Sequence, residues 1–337
     1  MNLVIGATGI LGSHVVLKLL QNDRPVIACK QANSDLKKVE KLFSYYSDNS
    51  KELFQKIKWV DVDVTDIYSI EAALEGIKIV YNCSGFVSFE KKDHKKLFLI
   101  NENGAANVVN ACLHKQIDAL CHVSSVATVN NSDYTVPLNE GVFWKSSGRE
   151  SDYAISKYNG EREVWRGIEE GLNAVIVNPG VILSSGFWDQ SSSKLFDTCY
   201  KGNKFYTDGS AGYIAAQDVA ASMLFLIDKR LFNNRYILIE ENYSFKEILD
   251  KIQSQLKRPK PSINAGKNLL TLARIADAFI CSFSNKQRQI TRPLINAALN
   301  KQLFSNTKIK AVFLPSFIPV NQAIEKVCAD FLGDKSH

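Results

Sequence analysis

Apolar residues come along this chain in two alternating rhythms. Runs of strand length stand at Leu3 to Ile5, Val26 to Cys29, Lys58 to Val62, Ile79 to Cys83, Ala119 to Ser124 and Ala174 to Asn178. Between them, apolar positions recur at the spacing of one helix face at Ile10 to Leu20, Ser34 to Tyr46, Ile67 to Leu74, His94 to His114 and Asp152 to Glu170. Strand and helix taking turns at this pitch predict a parallel sheet covered on both faces, a doubly wound α/β arrangement. After about Ser184 the rhythm gives way to polar loops, one short strand at Arg235 to Ile239, and helices at Phe245 to Leu256, Asn268 to Phe283, Pro293 to Asn300 and Asn321 to Phe331. This places residues 1-183 mainly in the sheet domain and residues 184-337 mainly in a smaller C-terminal α+β lobe packed on it, one structural domain overall.

Composition adds limits. Of the 337 residues 45% are hydrophobic, ample for a core rather than a disordered chain. The 41 Lys+Arg against 35 Asp+Glu leave a net charge of +6, too mild to imply nucleic acid. The excess is uneven: between Lys251 and Lys310 twelve Lys or Arg face a single acid, Asp277. Such a stretch suits an anionic substrate (a nucleotide sugar or coenzyme A thioester), an acidic membrane surface, or a basic face turned to water. Seven cysteines without a Cys-x-x-Cys or neighbouring histidines at ligand spacing point to reduced thiols, no metal and a cytoplasmic setting. The apolar stretch Leu3 to Leu17 lacks a basic leader and contains three glycines, so no secretory signal is expected. Leu269 to Phe283, interrupted by Arg274 and Asp277, reads as an amphipathic helix with no firm membrane association; fractionation would test a surface role.

The chemistry starts at Gly6-Ala7-Thr8-Gly9-Ile10-Leu11-Gly12, between the first strand and the first helix. Glycines there let backbone approach a pyrophosphate, and a helix N-terminus offers free N–H groups and a positive dipole end. A dinucleotide would meet Gly6, Thr8, Gly9, Ile10, Leu11 and Gly12. At the end of the second strand, Cys29-Lys30-Gln31 offers a cation and no acid, which favours the 2′-phosphate of NADP over NAD. Further on, Tyr153 and Lys157 lie four apart at the start of a helical segment and share one face. An adjacent ammonium favours a phenolate, so the pair brings the Tyr153 phenol toward a useful acid-base range. Ser125, twenty-eight residues upstream at a strand end, supplies a hydroxyl to orient a substrate oxygen, with Ser124 as its fallback.

Gly-x-x-Gly-x-x-Gly, Ser-Ser-Val-Ala-Thr-Val and Tyr-x-x-x-Lys in this order resemble the extended short-chain dehydrogenases/reductases of the NAD-dependent epimerase/dehydratase family. The dihydroflavonol reductase-like and 3β-hydroxysteroid dehydrogenase-like branch is the nearest in pattern. Ile5 departs from the threonine common before the first glycine. The resemblance implies a Rossmann-type sheet and hydride exchange between NADP or NAD and a carbonyl or alcohol of a small organic substrate. It makes Ser125, Tyr153 and Lys157 the catalytic trio. It further implies adenine contacts at Asp63 and Val64, cofactor contacts at Cys83, Ser84 and Gly85, and nicotinamide contacts at Pro179 and Val181. Asn101 would hold the ribose or a proton-relay water, or serve as a core amide, while Asp218 in Ile214 to Val219 is structural. A nucleotide-sugar epimerase is the alternative within the family; the Thr-Asp-Glu of dehydratases is missing at Ser125-Val126-Ala127. A catalytically silent dinucleotide sensor is the alternative from another class, and a homodimer is compatible with either. Phe86, Phe89, Tyr134, Phe143, Trp144, Phe187, Trp188 and Phe196 supply aromatic lining for a ring or lipid-like substrate.

Overall fold

The computed structural model describes residues 1–130, 136–146, 148, 150–283 and 291–336. The chain begins with β1 (Asn2–Ile5), α1 (Ile10–Gln21), β2 (Val26–Lys30), α2 (Leu36–Tyr46), α3 (Ser50–Gln55), β3 (Lys58–Asp61), α4 (Ile67–Ala73) and β4 (Ile79–Asn82). It continues with α5 (His94–Phe98), α6 (Gly104–His114), β5 (Ala119–Val123), α7 (Asp152–Glu169), β6 (Ala174–Pro179) and β7 (Val181–Leu183). Then follow α8 (Lys194–Tyr200), β8 (Phe205–Tyr206), β9 (Ser210–Ala215), α9 (Ala216–Asp228), β10 (Asn234–Leu238), β11 (Glu241–Ser244) and α10 (Phe245–Gln255). Last come β12 (Ile263–Asn264), α11 (Lys267–Phe283), α12 (Arg292–Leu299), α13 (Thr307–Val312) and α14 (Val320–Lys335).

Among the described residues the main sheet has seven strands, all parallel, in the order β10-β6-β5-β4-β1-β2-β3. Side chains along a strand alternate between faces, and here both faces are apolar. Val4 and Ala28 join one core with α1, α2 and α9 residues, whereas Leu3, Ile5 and Ile27 join a second with α4, α6 and α7 residues. The strand order reverses between β1 and β4, and in such sheets ligands bind outside the strand ends at that switch.

The six early strands stand where the apolar runs lie. The run His94 to His114 is one helix in the sequence pattern but not in the structure: a π turn at Leu99–Asn103 separates α5 from α6. The strand expected in the later half does not stay in the lobe; as β10 it pairs with β6 and completes the main sheet. A second sheet, β11-β9-β7, and a third core from α8, α10 and α14 build the lobe itself.

Candidate active site

Gly6 ends β1 with φ +76, in the region that favours glycine, and a Cβ there would lie 2.7 Å from the Cys83 and Ser84 backbone at the end of β4. A Cβ on Gly12 would sit 2.1 Å from the Gly6 carbonyl oxygen. These two glycines are therefore required by the protein's own packing. Gly9 differs: it is exposed, its nearest heavy atom to a Cβ is at 3.4 Å, and it caps α1 without any side-chain bond to the first-turn N–H groups. Backbone donors at a helix start that no side chain caps, beside an exposed glycine, fit a phosphate-bearing ligand. Ile10 and Leu11 form the first turn, and Thr8 Oγ1 lies 3.4 Å from Ser34 Oγ.

Lys30 is not the lone cation that its own strand suggests. The β2–β3 register sets it opposite Asp61, and the ammonium lies 2.5 Å from that carboxylate. The missing acid comes from the neighbouring strand, where reading along β2 alone does not find it. Asp63 spends one carboxylate oxygen on the Thr65 backbone N–H and hydroxyl, shaping the turn before α4, with Val64 buried beside it. Over the glycine turn, Asn82 Oδ1 accepts from the Ser84 N–H and hydroxyl and so orients the segment Cys83 to Gly85. Pro179 closes β6, and Val181 begins β7 beside it.

Helix α7 starts just before the tyrosine because Ser151 caps it, accepting from the Ala154 N–H at 3.1 Å, and Asp152 suits the positive dipole end. Tyr153 thus sits half-buried in the first turn, its ring 5.9 Å from that of Phe89 and its phenol close to Ser125. Burial pushes the phenol above its ordinary value, and the nearby Ser125 hydroxyl opposes this. The downward shift expected from an ammonium neighbour is absent. Lys157, one turn on, is 4% exposed and donates to the Val123 carbonyl at 2.7 Å; burial pulls its pKa down to about 8, against the attraction of Glu161. Ser124 is not an equivalent of Ser125, since its hydroxyl is buried and donates to Glu161 at 2.7 Å.

Gly85 joins the two halves of the site: a Cβ there would stand 3.6 Å from both Lys157 Nζ and Asn101 Oδ1. Asn101, inside the π turn, brackets the Phe86 backbone with its amide, donating at 2.9 Å and accepting at 2.8 Å, and donates to Ser156 Oγ at 2.9 Å. Its polar atoms go to protein partners, as expected of a core amide that ties the loop after β4 to α7.

Sequence reasoning overlooks Glu161. This carboxylate, 2% exposed and two turns along α7 from Tyr153, accepts from Ser124, Thr128 and Asn178 on one oxygen and pairs with Arg235 of β10 at 3.1 Å on the other. It locks the ends of β5 and β6 to the helix that carries Tyr153 and Lys157. Its signal is the continued four-residue spacing Tyr153, Lys157, Glu161 on one face. Of the aromatic candidates, Phe187 and Phe196 are buried in the cores and Trp188 donates to Asp334, whereas Phe89 borders Tyr153 and Trp144 stacks on Tyr158. Tyr134 lies outside the described residues. A cavity of about 570 Å³ reaches the start of α7, lined by Glu150 and by Lys267, Arg274 and Arg292 of the lobe.

The family model described as "NAD dependent epimerase/dehydratase family" matches residues 2–238. Sterol demethylase protein B of Methylococcus capsulatus is 27% identical over 273 residues, 77% of this chain and 76% of that one. Anthocyanidin reductase of Arabidopsis thaliana is 26% identical over 270 residues, 73% of this chain and 78% of the relative. In fold, the chain is similar to yeast methylglyoxal/isovaleraldehyde reductase complexed with NADPH, with a TM-score of 0.76, 19% identity and coverage of 100% and 99%. A glycine turn at the switch of a seven-stranded parallel sheet and a family match over most of that sheet agree: the chain belongs to the NAD-dependent epimerase/dehydratase family of nicotinamide dinucleotide enzymes.

Proposed function

We propose that the protein is a reductase that exchanges a hydride between NADP and a carbonyl or alcohol carbon of a small organic substrate, with Tyr153 handling the proton on the substrate oxygen. The observation that carries this reading is the segment Cys83 to Gly85: it packs on the Gly6 turn at one end, and at the other a Cβ on Gly85 would stand 3.6 Å from Lys157 Nζ, so it borders both the phosphate cradle and the lysine of the trio. The bound dinucleotide would supply or accept the hydride. Gly9 and the first turn of α1 would hold its phosphates. Lys30, backed by Thr8 and Ser34, would receive a 2′-phosphate: its pair with a largely exposed Asp61 is of the weak surface kind, which a doubly charged phosphate displaces.

Burial keeps the Tyr153 phenol protonated, ready to donate as negative charge grows on a carbonyl oxygen. Ser125, beside that phenol, would orient the same oxygen. Lys157, anchored by the Val123 carbonyl, would hydrogen-bond the dinucleotide's ribose. The named activities of the curated relatives, anthocyanidin reductase among them, support reduction. A nucleotide-sugar epimerase is the second reading, favoured by the cations around the cavity at the start of α7.

The test is Tyr153→Phe, with nicotinamide absorbance followed against aldehydes, ketones, sterols and UDP-sugars in NADPH and in NADH. Turnover should fall by roughly a hundredfold or more, while NADPH still quenches protein fluorescence as in the unaltered chain. Unchanged turnover in the variant removes the assignment, and interconversion of UDP-sugars with no net change in nicotinamide absorbance selects the epimerase.

A further inference from the structure

Helix α11 presents its faces the wrong way round for a helix resting on a protein core. Lys267, Thr271 and Arg274 look onto the cavity at the start of α7, whereas Leu269, Leu272 and Ile275, at helical spacing on another side, are 42%, 64% and 54% exposed. Just before it, the ribbon of β8 and β12 sets Phe205 opposite Ile263, and these are 48% and 41% exposed. Lone exposed apolar residues need no explanation, but a run on one helix together with an adjoining strand pair does.

The charges beside this run narrow the occupant. Lys204, Lys257 and Lys260 are exposed, and none of the three has a carboxylate at ion-pair distance among the described residues. From Lys251 to Lys310 the sequence carries twelve cations and one acid. A second copy of this chain would bring like charge against like. An anionic lipid surface satisfies both features, since apolar side chains can enter the headgroup boundary while lysines beside them meet phosphates. No described helix is long and apolar enough to span a bilayer, so the contact is a surface one.

We infer that α11, with β8 and β12, docks the protein on anionic membrane surfaces through Leu269, Leu272 and Ile275 and the surrounding lysines. The contact sets the outer face of the cavity's roof against lipid. It stands independently of the chemistry proposed for Tyr153.

The experiment is flotation of the full chain with phosphatidylcholine vesicles, with and without phosphatidylglycerol, beside sedimentation without lipid. The unaltered protein floats with the anionic vesicles, and added salt releases it. Leu272→Asp with Ile275→Asp, on exposed positions that leave the circular dichroism unchanged, stays at the bottom of the gradient. Lys257→Ala with Lys260→Ala weakens binding by roughly fivefold for each charge removed. The inference is overturned if the unaltered chain ignores anionic vesicles, or if the aspartate variant floats as well as it does. It is equally overturned if the protein sediments as a dimer that those aspartates dissociate, which would make the face a self-contact.

Discussion

Glu161 shows how one buried side chain can set the chemistry of another. Its carboxylate raises the affinity of Lys157 for its proton against a burial that lowers it to about 8. Glu161→Gln keeps the shape but removes the charge, so Lys157 loses its proton at lower pH. The alkaline limb of the pH–rate profile should then move down by roughly one pH unit; a limb that stays in place would show that Lys157 does not govern it. At this scale the site was legible where its members are near in sequence: Tyr153 and Lys157 share a turn, and Gly6, Gly9 and Gly12 a loop. It was not legible where distant strands meet. Asp61 reaches Lys30 through strand register, and Arg235 reaches Glu161 from seventy-four residues away.

Elements explain why three glycines in one motif are not interchangeable. Gly12→Ala drives a methyl into the Gly6 carbonyl, backbone against backbone, and should cost roughly 3 kcal/mol or more in denaturant unfolding. Gly9→Ala meets ordinary contact distances and should change stability by less than about 0.5 kcal/mol while weakening NADPH binding. Equal effects on stability would refute this division of labour. The same scale shows what hydrophobic periodicity can and cannot reveal. Helix α1 and the early strands announced themselves, but Ala216–Asp228 went unread as a helix because it is buried nearly all round, which leaves no polar stripe to mark the period. The π turn escaped for another reason: Asn101 sits inside an otherwise regular helical pattern, and its bonds to Phe86 and Ser156 depend on chain segments far along the sequence.

At the scale of the whole molecule, one contact between the lobe and the sheet domain tolerates little protonation. His14 of α1 is buried, hydrogen-bonds Ser184 at 2.9 Å across the seam, and has its pKa lowered to about 3 by burial. Since the unfolded chain takes up a proton near pH 6.5 and the native one does not until about 3, stability falls as pH drops through that window. The loss reaches roughly 4 kcal/mol at its lower end. His14→Gln retains a polar group facing Ser184, and its unfolding midpoint should decline less steeply between those pH values. A slope equal to that of the unaltered chain would place the acid sensitivity elsewhere.

The late arrival of β10 has a consequence for synthesis. Strand β6 is buried along its whole length, and the neighbour that covers it is not translated until Leu238 has been added. A nascent chain that has just made β6 therefore carries an open hydrogen-bonding edge through the production of more than fifty further residues. That edge closes only when the chain beyond the first two thirds has been made.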